Sequence, residues 1–428
     1  MHELLLTPSD VLFFRDGRPM DGSLTGRTAS WPLPHTLNAA LHAALHRAGL
    51  AEGAHKARRG RSGCYSDERT SVFGSLKSIG PFPVAPEGTW HFPTPADLVL
   101  DGGRIRLGCK PVPFDRAESS LPKPLTHALV ALTPPAKDNK PGAWMKAEAY
   151  HAYINSDTTT LDKSAYIADE DLPARESRIG IGIDPGTQTQ DGQKFYTAEY
   201  LRLKHGWKLG LLAEADDKQA GDLLDALFRS ERHLVVGGQQ GACTVENTTV
   251  EGCYSRLPTG RTEGFTQDAE GRYLIKWTLL TPAIFPAITG DETRKINSHP
   301  GGWLPNWVDP ESGAVLLKSP TTPRGESESR EAHRARIRAL NPLDARLIAA
   351  LVPKPIPVSG WSLGQDAHEK AGDKSTQWAV PAGAVYYFST PTDQAARQLA
   401  ATLNPPACRS SLLGEKGFGL GVCSSVQI

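Results

Sequence analysis

Gly414-Glu-Lys-Gly-Phe-Gly-Leu-Gly421, running into Val422-Cys-Ser-Ser-Val-Gln-Ile428, is the stretch from which the rest of the sequence is read. Four glycines frame Lys416 and Phe418, and a short β-branched run behind them reads as a strand. Glycine tolerates positive φ and lets a second backbone come close, so such a loop can turn its N–H groups toward an anion. A lysine beside an aromatic ring suits a phosphate with a base next to it. The same residues also suit a plain glycine turn ahead of an edge strand. The stretch is not a Walker loop, which requires Gly-Lys-Ser/Thr, nor a GxGxxG that opens a helix after a strand.

With 428 residues and 39% hydrophobic content, two domains are expected, each with its own core. Lys plus Arg is 47 and Asp plus Glu is 47, so any nucleic-acid contact has to come from a local patch. The 41 glycines and 34 prolines follow no period, which predicts many turns and long loops. No apolar run reaches the length of a membrane span, and the first residues lack the pattern of a signal peptide, so the chain reads as cytoplasmic with no membrane partner. Six scattered cysteines make no CxxC pair. Neither a metal nor a cofactor is expected.

Residues 3–8 read as a first strand leading into Val11-Leu-Phe-Phe-Arg-Asp-Gly-Arg-Pro-Met20. There Arg15, Asp16 and Arg18 surround Gly17, as either a surface turn or a phosphate-contacting loop. Thr36–Ala48 carries apolar residues at helical spacing, stopped by Gly49. His35, just ahead of it, is a candidate RNA contact because helix N-termini attract phosphate. His42 and His46 lie opposite the apolar stripe and read as a solvated pair. Residues 53–70 hold four Lys/Arg between 56 and 61, a solvated run or a flexible basic arm. Hairpin character spans 98–107 and, further on, 178–184, 195–204 and 206–214. Helices are expected at 144–155, 220–228 and 392–403. A proline-rich and charge-rich insertion covers about 290–345, and the basic stretch Glu328–Leu340 within it has helical character.

The run Leu12-Phe-Phe-Arg-Asp-Gly-Arg-Pro19, the Val-Val-Gly-Gly238 turn after a helix, Pro381-Ala-Gly-Ala-Val-Tyr-Tyr-Phe388 and the terminal Gly-Lys-Gly-Phe-Gly-Leu-Gly421 occur in that order. Together they resemble the third subunit of the Cmr complex, a RAMP-superfamily component of type III-B CRISPR effectors. The resemblance implies an α+β protein with two ferredoxin-like (RRM-like) domains, at 1–170 and 171–428. It implies a non-catalytic subunit that holds the 5′ repeat-derived tag of crRNA. The implied protein partners are the large polymerase-like subunit and the backbone RAMP subunit. Carried onto this sequence, the RNA-contacting positions are Arg15, Asp16 and Arg18, then Gly237, Gly238 and Gln239, and finally Lys416, Gly417, Phe418 and Gly419. Gly237-Gly-Gln-Gln240 stands where relatives carry Gly-Gly-Glu with an arginine nearby, which argues against a charged contact there. Ala-Ala-Leu-His42 replaces Gly-Ala-Leu-Arg in the first helix.

Two other functions fit the same residues. A metal-independent endoribonuclease of the same superfamily would use His35 and Lys416 as its acid–base pair. A scaffold that touches only proteins would need none of the RNA contacts.

Overall fold

The computed structural model describes residues 1–15, 25–26, 28–50, 75–134, 141–155, 161–217, 220–250, 255–293, 296–319, 328–362 and 372–427. The fold is mixed α/β, rich in strands and with few helices. Its first sheet is antiparallel, with five strands in the order His233–Val236, Gly241–Thr249, His2–Pro8, Lys208–Glu214, Lys77–Val84. Alternation sorts the side chains of the central strands. Leu4, Leu6, Leu209, Leu211 and Ala213 point to one face, where Leu37, Leu41 and Leu45 of helix α1 (Pro34–Arg47) meet them. Pro34 opens α1, where a missing N–H is harmless, and Gly49 at φ 69° closes it. Helix α2 (Ala147–Ile154) lies elsewhere, between the sheets. Helix α3 (Leu223–Phe228) completes this face, its N-terminus capped by Asp222, which accepts from the amides of Leu224 and Asp225.

The second sheet runs Gly421–Ser425, Tyr273–Leu279, Val385–Thr390, Arg346–Leu351, with Thr266–Gln267 extending the outer column. Helix α4 (Arg330–Ala339) contributes no buried residue, whereas α5 (Asp393–Leu403) packs Ala396, Leu399, Ala400 and Leu403 onto Ile275, Trp277, Tyr386 and Phe388. The first sheet follows its first strand with α1. In the second, the corresponding cover is irregular chain, with Leu304, Val308 and Val315 buried and Trp303 and Trp307 packed alongside. The insertion expected at 290–345 thus supplies core as well as surface.

The first sheet crosses the boundary expected at residue 170. Lys208–Glu214 and Gly241–Thr249 flank His2–Pro8 on its two sides, so this sheet takes strands from both sides of that boundary. This pairing joins residues some two hundred positions apart, and local hydrophobic pattern carries no information about such a register. The 178–184 run pairs with 195–203 to form a long ribbon, Pro173–Ile183 with Gln190–Leu203, which Thr25–Gly26 edges in parallel, rather than continuing into 206–214. Among the described residues no helix is long and apolar enough to cross a membrane.

Between the two sheets lies a shared core containing Phe82 and Leu212 of the first, Leu420 and Val422 of the second strand system, and Tyr150 and Tyr153 of α2. One ion pair closes this layer. Lys276 Nζ, on the second sheet, donates to Asp97 Oδ2 at 2.9 Å, and both side chains are essentially inaccessible to solvent. Tyr153 donates to Asp97 Oδ1 at 2.9 Å and Tyr387 to Oδ2 at 3.2 Å, while the ammonium sits 4.1 Å from the centre of the Tyr153 ring. A buried carboxylate with three donors and a buried ammonium over an aromatic face are both compensated. Removing one partner leaves a bare charge in the core. Asp97→Ala should lower the unfolding free energy by about 3–5 kcal/mol. An Asp97→Leu/Lys276→Met double variant should recover most of that loss, as measured by urea unfolding.

Candidate nucleic-acid interface

The opening motif leaves the His2–Pro8 strand and becomes a scaffold for a surface patch. Leu12 exchanges two backbone hydrogen bonds with Leu201 of the ribbon, each 2.8 Å, and the Gly238 amide donates to the Phe13 carbonyl at 2.8 Å. Thr28 holds the next residue, its Oγ1 accepting from the Phe14 amide at 3.2 Å. Arg15 forms a bridge with Thr28 and is exposed. The Phe13 ring meets Tyr200 at 5.5 Å between centroids, and the Arg178 guanidinium lies 5.1 Å from the centre of the Tyr200 ring. Two half-buried aromatics, an arginine stacked on one of them and a second arginine nearby thus share one surface.

The 237–240 turn closes that patch. Gly237 takes φ 75°, and a Cβ on it would stand 2.5 Å from the Phe13 carbonyl oxygen, so only glycine fits. Gln239 and Gln240 both adopt left-handed backbone, φ 58° and 53°. Asn and Gly accept this left-handed backbone more readily than Gln. The strain is of order 1 kcal/mol for each residue, and it sits on an exposed turn.

Charge on the ribbon side of the patch is already balanced. Arg178 and Arg202 both bond Asp10 and Glu176, over 2.7–3.3 Å. Hydrogen bonds from Arg178, before all else, hold Glu176 and Asp10 below the ordinary carboxylate range. Further out, Ile179, Ile181 and Ile183 are 69%, 50% and 63% exposed. At alternate positions they line one face of the ribbon as an apolar stripe in solvent.

The terminal glycine stretch forms a different structure. Gly414–Lys416 is a single 3₁₀ turn, and the amides of Lys416, Gly417, Phe418 and Gly419 donate to the carbonyls of Leu413, Gly414, Leu413 and Pro282. Gly417, at φ 90°, passes so close to Ser78 that a Cβ would stand 2.4 Å from its carbonyl oxygen. Phe418 is fully buried among Ile284, Val358 and Ala379, with its ring 5.8 Å from that of His35. The loop therefore docks the second sheet against α1 and the Lys77–Val84 strand.

A family model described as CRISPR-associated protein (Cas_Cmr3) matches residues 4–424. The chain belongs to the Cmr3 family. As such it is a subunit of a type III CRISPR effector complex. Solved structures similar to it include a chain of the type III-B Cmr-beta complex bound to cognate target RNA and AMPPnP. That match has 14% identity and a TM-score of 0.40, covering 90% of this chain and 86% of the other. A second Cmr-beta structure bound to cognate target RNA gives 15% identity and a TM-score of 0.39, covering 90% and 86%. The Csm3–Csm4 subcomplex of the type III-A interference complex gives 10% and 0.36, covering 90% and 92%. No curated protein matches the sequence.

Within this Cmr3-family fold the expected residues separate into two groups. Arg15, Gly237, Gly238 and Gln239 come together around Phe13. His35, Lys416, Gly417, Phe418 and Gly419 come together at the start of α1. Asp16, Arg18 and the 53–70 basic loop lie outside the described residues. The structure differs from the expectation for the glycine stretch: the amides of Lys416, Gly417, Phe418 and Gly419 turn onto protein carbonyls, Pro282's among them, and Phe418 is buried. Gly417 and Gly419 consequently serve the fold, so aspartate at Gly417 would disturb docking of the sheets before any RNA contact. Phe13, Tyr200 and Arg178 were missed by motif reading. Their signal was the adjacency of aromatic and basic residues in Phe13–Arg15 and in Tyr200–Arg202.

Among the described residues, His35 Nδ1 is sealed and has no hydrogen-bond partner. Burial first, then the charges of Lys416 and Lys374, push it down to about 4 from an ordinary 6.5, and burial likewise lowers Lys416. Between those two pH values the unfolded chain binds a proton at this site that the folded chain does not. Stability should therefore be fully present above about pH 6.5 and fall as the pH drops toward 4. His35→Gln should flatten this slope, checked by urea unfolding of both proteins at several pH values across that window.

Proposed function

We propose that the chain is a non-catalytic RNA-binding subunit of a type III-B effector, holding the 5′ repeat-derived tag of crRNA on the surface built by Phe13, Arg15, Tyr200 and the 237–240 turn. The observation that carries this reading is the convergence of the opening motif, the Gly-Gly turn and an arginine-capped tyrosine at one exposed place. Single-stranded RNA is recognised by aromatic and guanidinium planes that stack on splayed bases, with loops contacting the backbone. The strand orders support reading both sheets as ferredoxin-like, since each places its first strand between the last and the third. The large polymerase-like subunit and the backbone RAMP subunit are the proposed protein partners, and the exposed Ile179–Ile183 ribbon is a surface for neighbours in the assembly.

A net charge of zero supports an assembly-dependent role, because affinity for free RNA scales with the phosphates neutralised. Cleavage by His35 and Lys416 is the weaker reading. The two residues do lie close together, yet a histidine held near 4 is a poor base at neutral pH, and Phe418 packs on its ring.

The test is crRNA retention in a complex reconstituted with Arg15→Ala or Tyr200→Ala subunits. Tyr200→Ala should cost about 1–3 kcal/mol of affinity for the tag. Repeat RNA incubated with the subunit in EDTA should remain intact. Undiminished crRNA in both variant complexes would sink the tag-binding reading. Specific cleavage that disappears in His35→Ala would replace it with an enzyme.

A further inference from the structure

Helix α4 (Arg330–Ala339) stands out because nothing apolar holds it. None of its residues is buried, and a ten-residue helix without a packed face is marginal in water. Polar contacts fix both ends instead. Ser329 caps the first turn, its Oγ accepting from the Ala332 amide at 3.1 Å. Glu328 receives Arg336 Nε at 2.9 Å and Nη2 at 3.0 Å, with His333 Nδ1 at 3.2 Å from the same carboxylate. At the other end Lys318 Nζ donates to the carbonyls of Ile337 and Arg338 at 2.9 and 2.8 Å.

Arg330, Arg334 and Arg338 are spaced four apart, so they stand one above another on the same face, all three exposed. No ion pair is recorded for any of the three among the described residues. Like charges at this spacing destabilise a helix, so the stripe opposes the fold that carries it. We propose that α4 is a docking helix for the backbone of a single-stranded RNA, an inference that rests on the RNA-binding function proposed above. The arginines climb roughly 6 Å per step, a stride commensurate with successive phosphates on an extended strand. Guanidinium groups fork onto phosphate oxygens. A protein-docking helix presents exposed apolar anchors to fill pockets, whereas the residues flanking this stripe are Glu331, Ala335 and the half-buried His333 and Ile337. The stripe offers charge alone, which is what a phosphate chain requires.

The experiment compares the full chain with an R330Q/R334Q/R338Q variant, using a fluorescent oligouridylate as probe and a polyglutamate peptide as control. Three lost phosphate contacts reduce the slope of log affinity against log salt by about 2. Raising salt from about 50 to 200 mM should then weaken the wild type roughly 20-fold more than the variant. The variant should melt at the wild-type temperature or above it, since like-charge repulsion has been removed. An unchanged salt slope overturns the proposal. So does a loss confined to polyglutamate, which would assign the helix to an acidic protein, or a lower melting temperature with RNA binding intact, which would make the stripe structural. Failure here while Arg15→Ala and Tyr200→Ala still strip crRNA from the complex removes only the helix proposal. Retention of crRNA in all variants removes the RNA-binding function itself.

Discussion

The ion pair between Lys276 and Asp97 is the constraint from which the rest of the molecule follows. A charge in a solvent-free layer is tolerated only with its partners in place, and here the partners come from separate parts of the chain. Asp97 arrives from the segment between the first sheet and α2, Tyr153 from α2, and Lys276 and Tyr387 from the second sheet. Satisfying one carboxylate therefore fixes how the two sheets face each other. The glycine stretch at 414–421 acts on the same relationship from another side, bringing its backbone against Ser78 and burying Phe418 beside His35. The Phe13–Tyr200 patch lies outside this layer, on the ribbon that Leu12 ties to the first strand.

Elements defined by local physics were legible in the sequence. The helix predicted at Thr36–Ala48 is found at Pro34–Arg47, and that predicted at Thr392–Leu403 is found at Asp393–Leu403, because apolar spacing, a Thr392 cap and the Gly49 stop all act within a few residues. The basic stretch around Arg334 is helical as its sequence suggested, and its lack of a buried face follows from Ile337 being its one large apolar residue. Sheet order was not legible. Leu4 pairs with Leu211 on one side and Asn247 on the other, and any alternating strand would satisfy the same pattern.

The candidate site shows the same division. Arg15 and the Gly237–Gly238 turn were identified together, and they meet at Phe13. Phe418 and its glycines were assigned to RNA because loop glycines beside a lysine suit an anion, but whether an amide faces a ligand or a carbonyl depends on distant chain. Here Pro282 and Leu413 take those amides. Tyr200 escaped notice because it belongs to a ribbon whose partner strand sets which face it occupies. Arg178 and Arg202 are already matched by Asp10 and Glu176, so the local charge balance mirrors the zero net charge of the whole chain. Under the proposed function, a patch balanced in this way would contribute shape and stacking and would leave the bulk of the phosphate attraction to neighbouring subunits.

Photocrosslinking of a reconstituted effector complex whose crRNA carries 4-thiouridine in the 5′ tag tests the central claim most directly. Adducts should map to peptides spanning 11–15, 197–203 and 237–241, and Phe418 should remain unmodified. Tag adducts confined to the 414–421 loop, or none on this subunit while neighbouring subunits are labelled, would contradict the account.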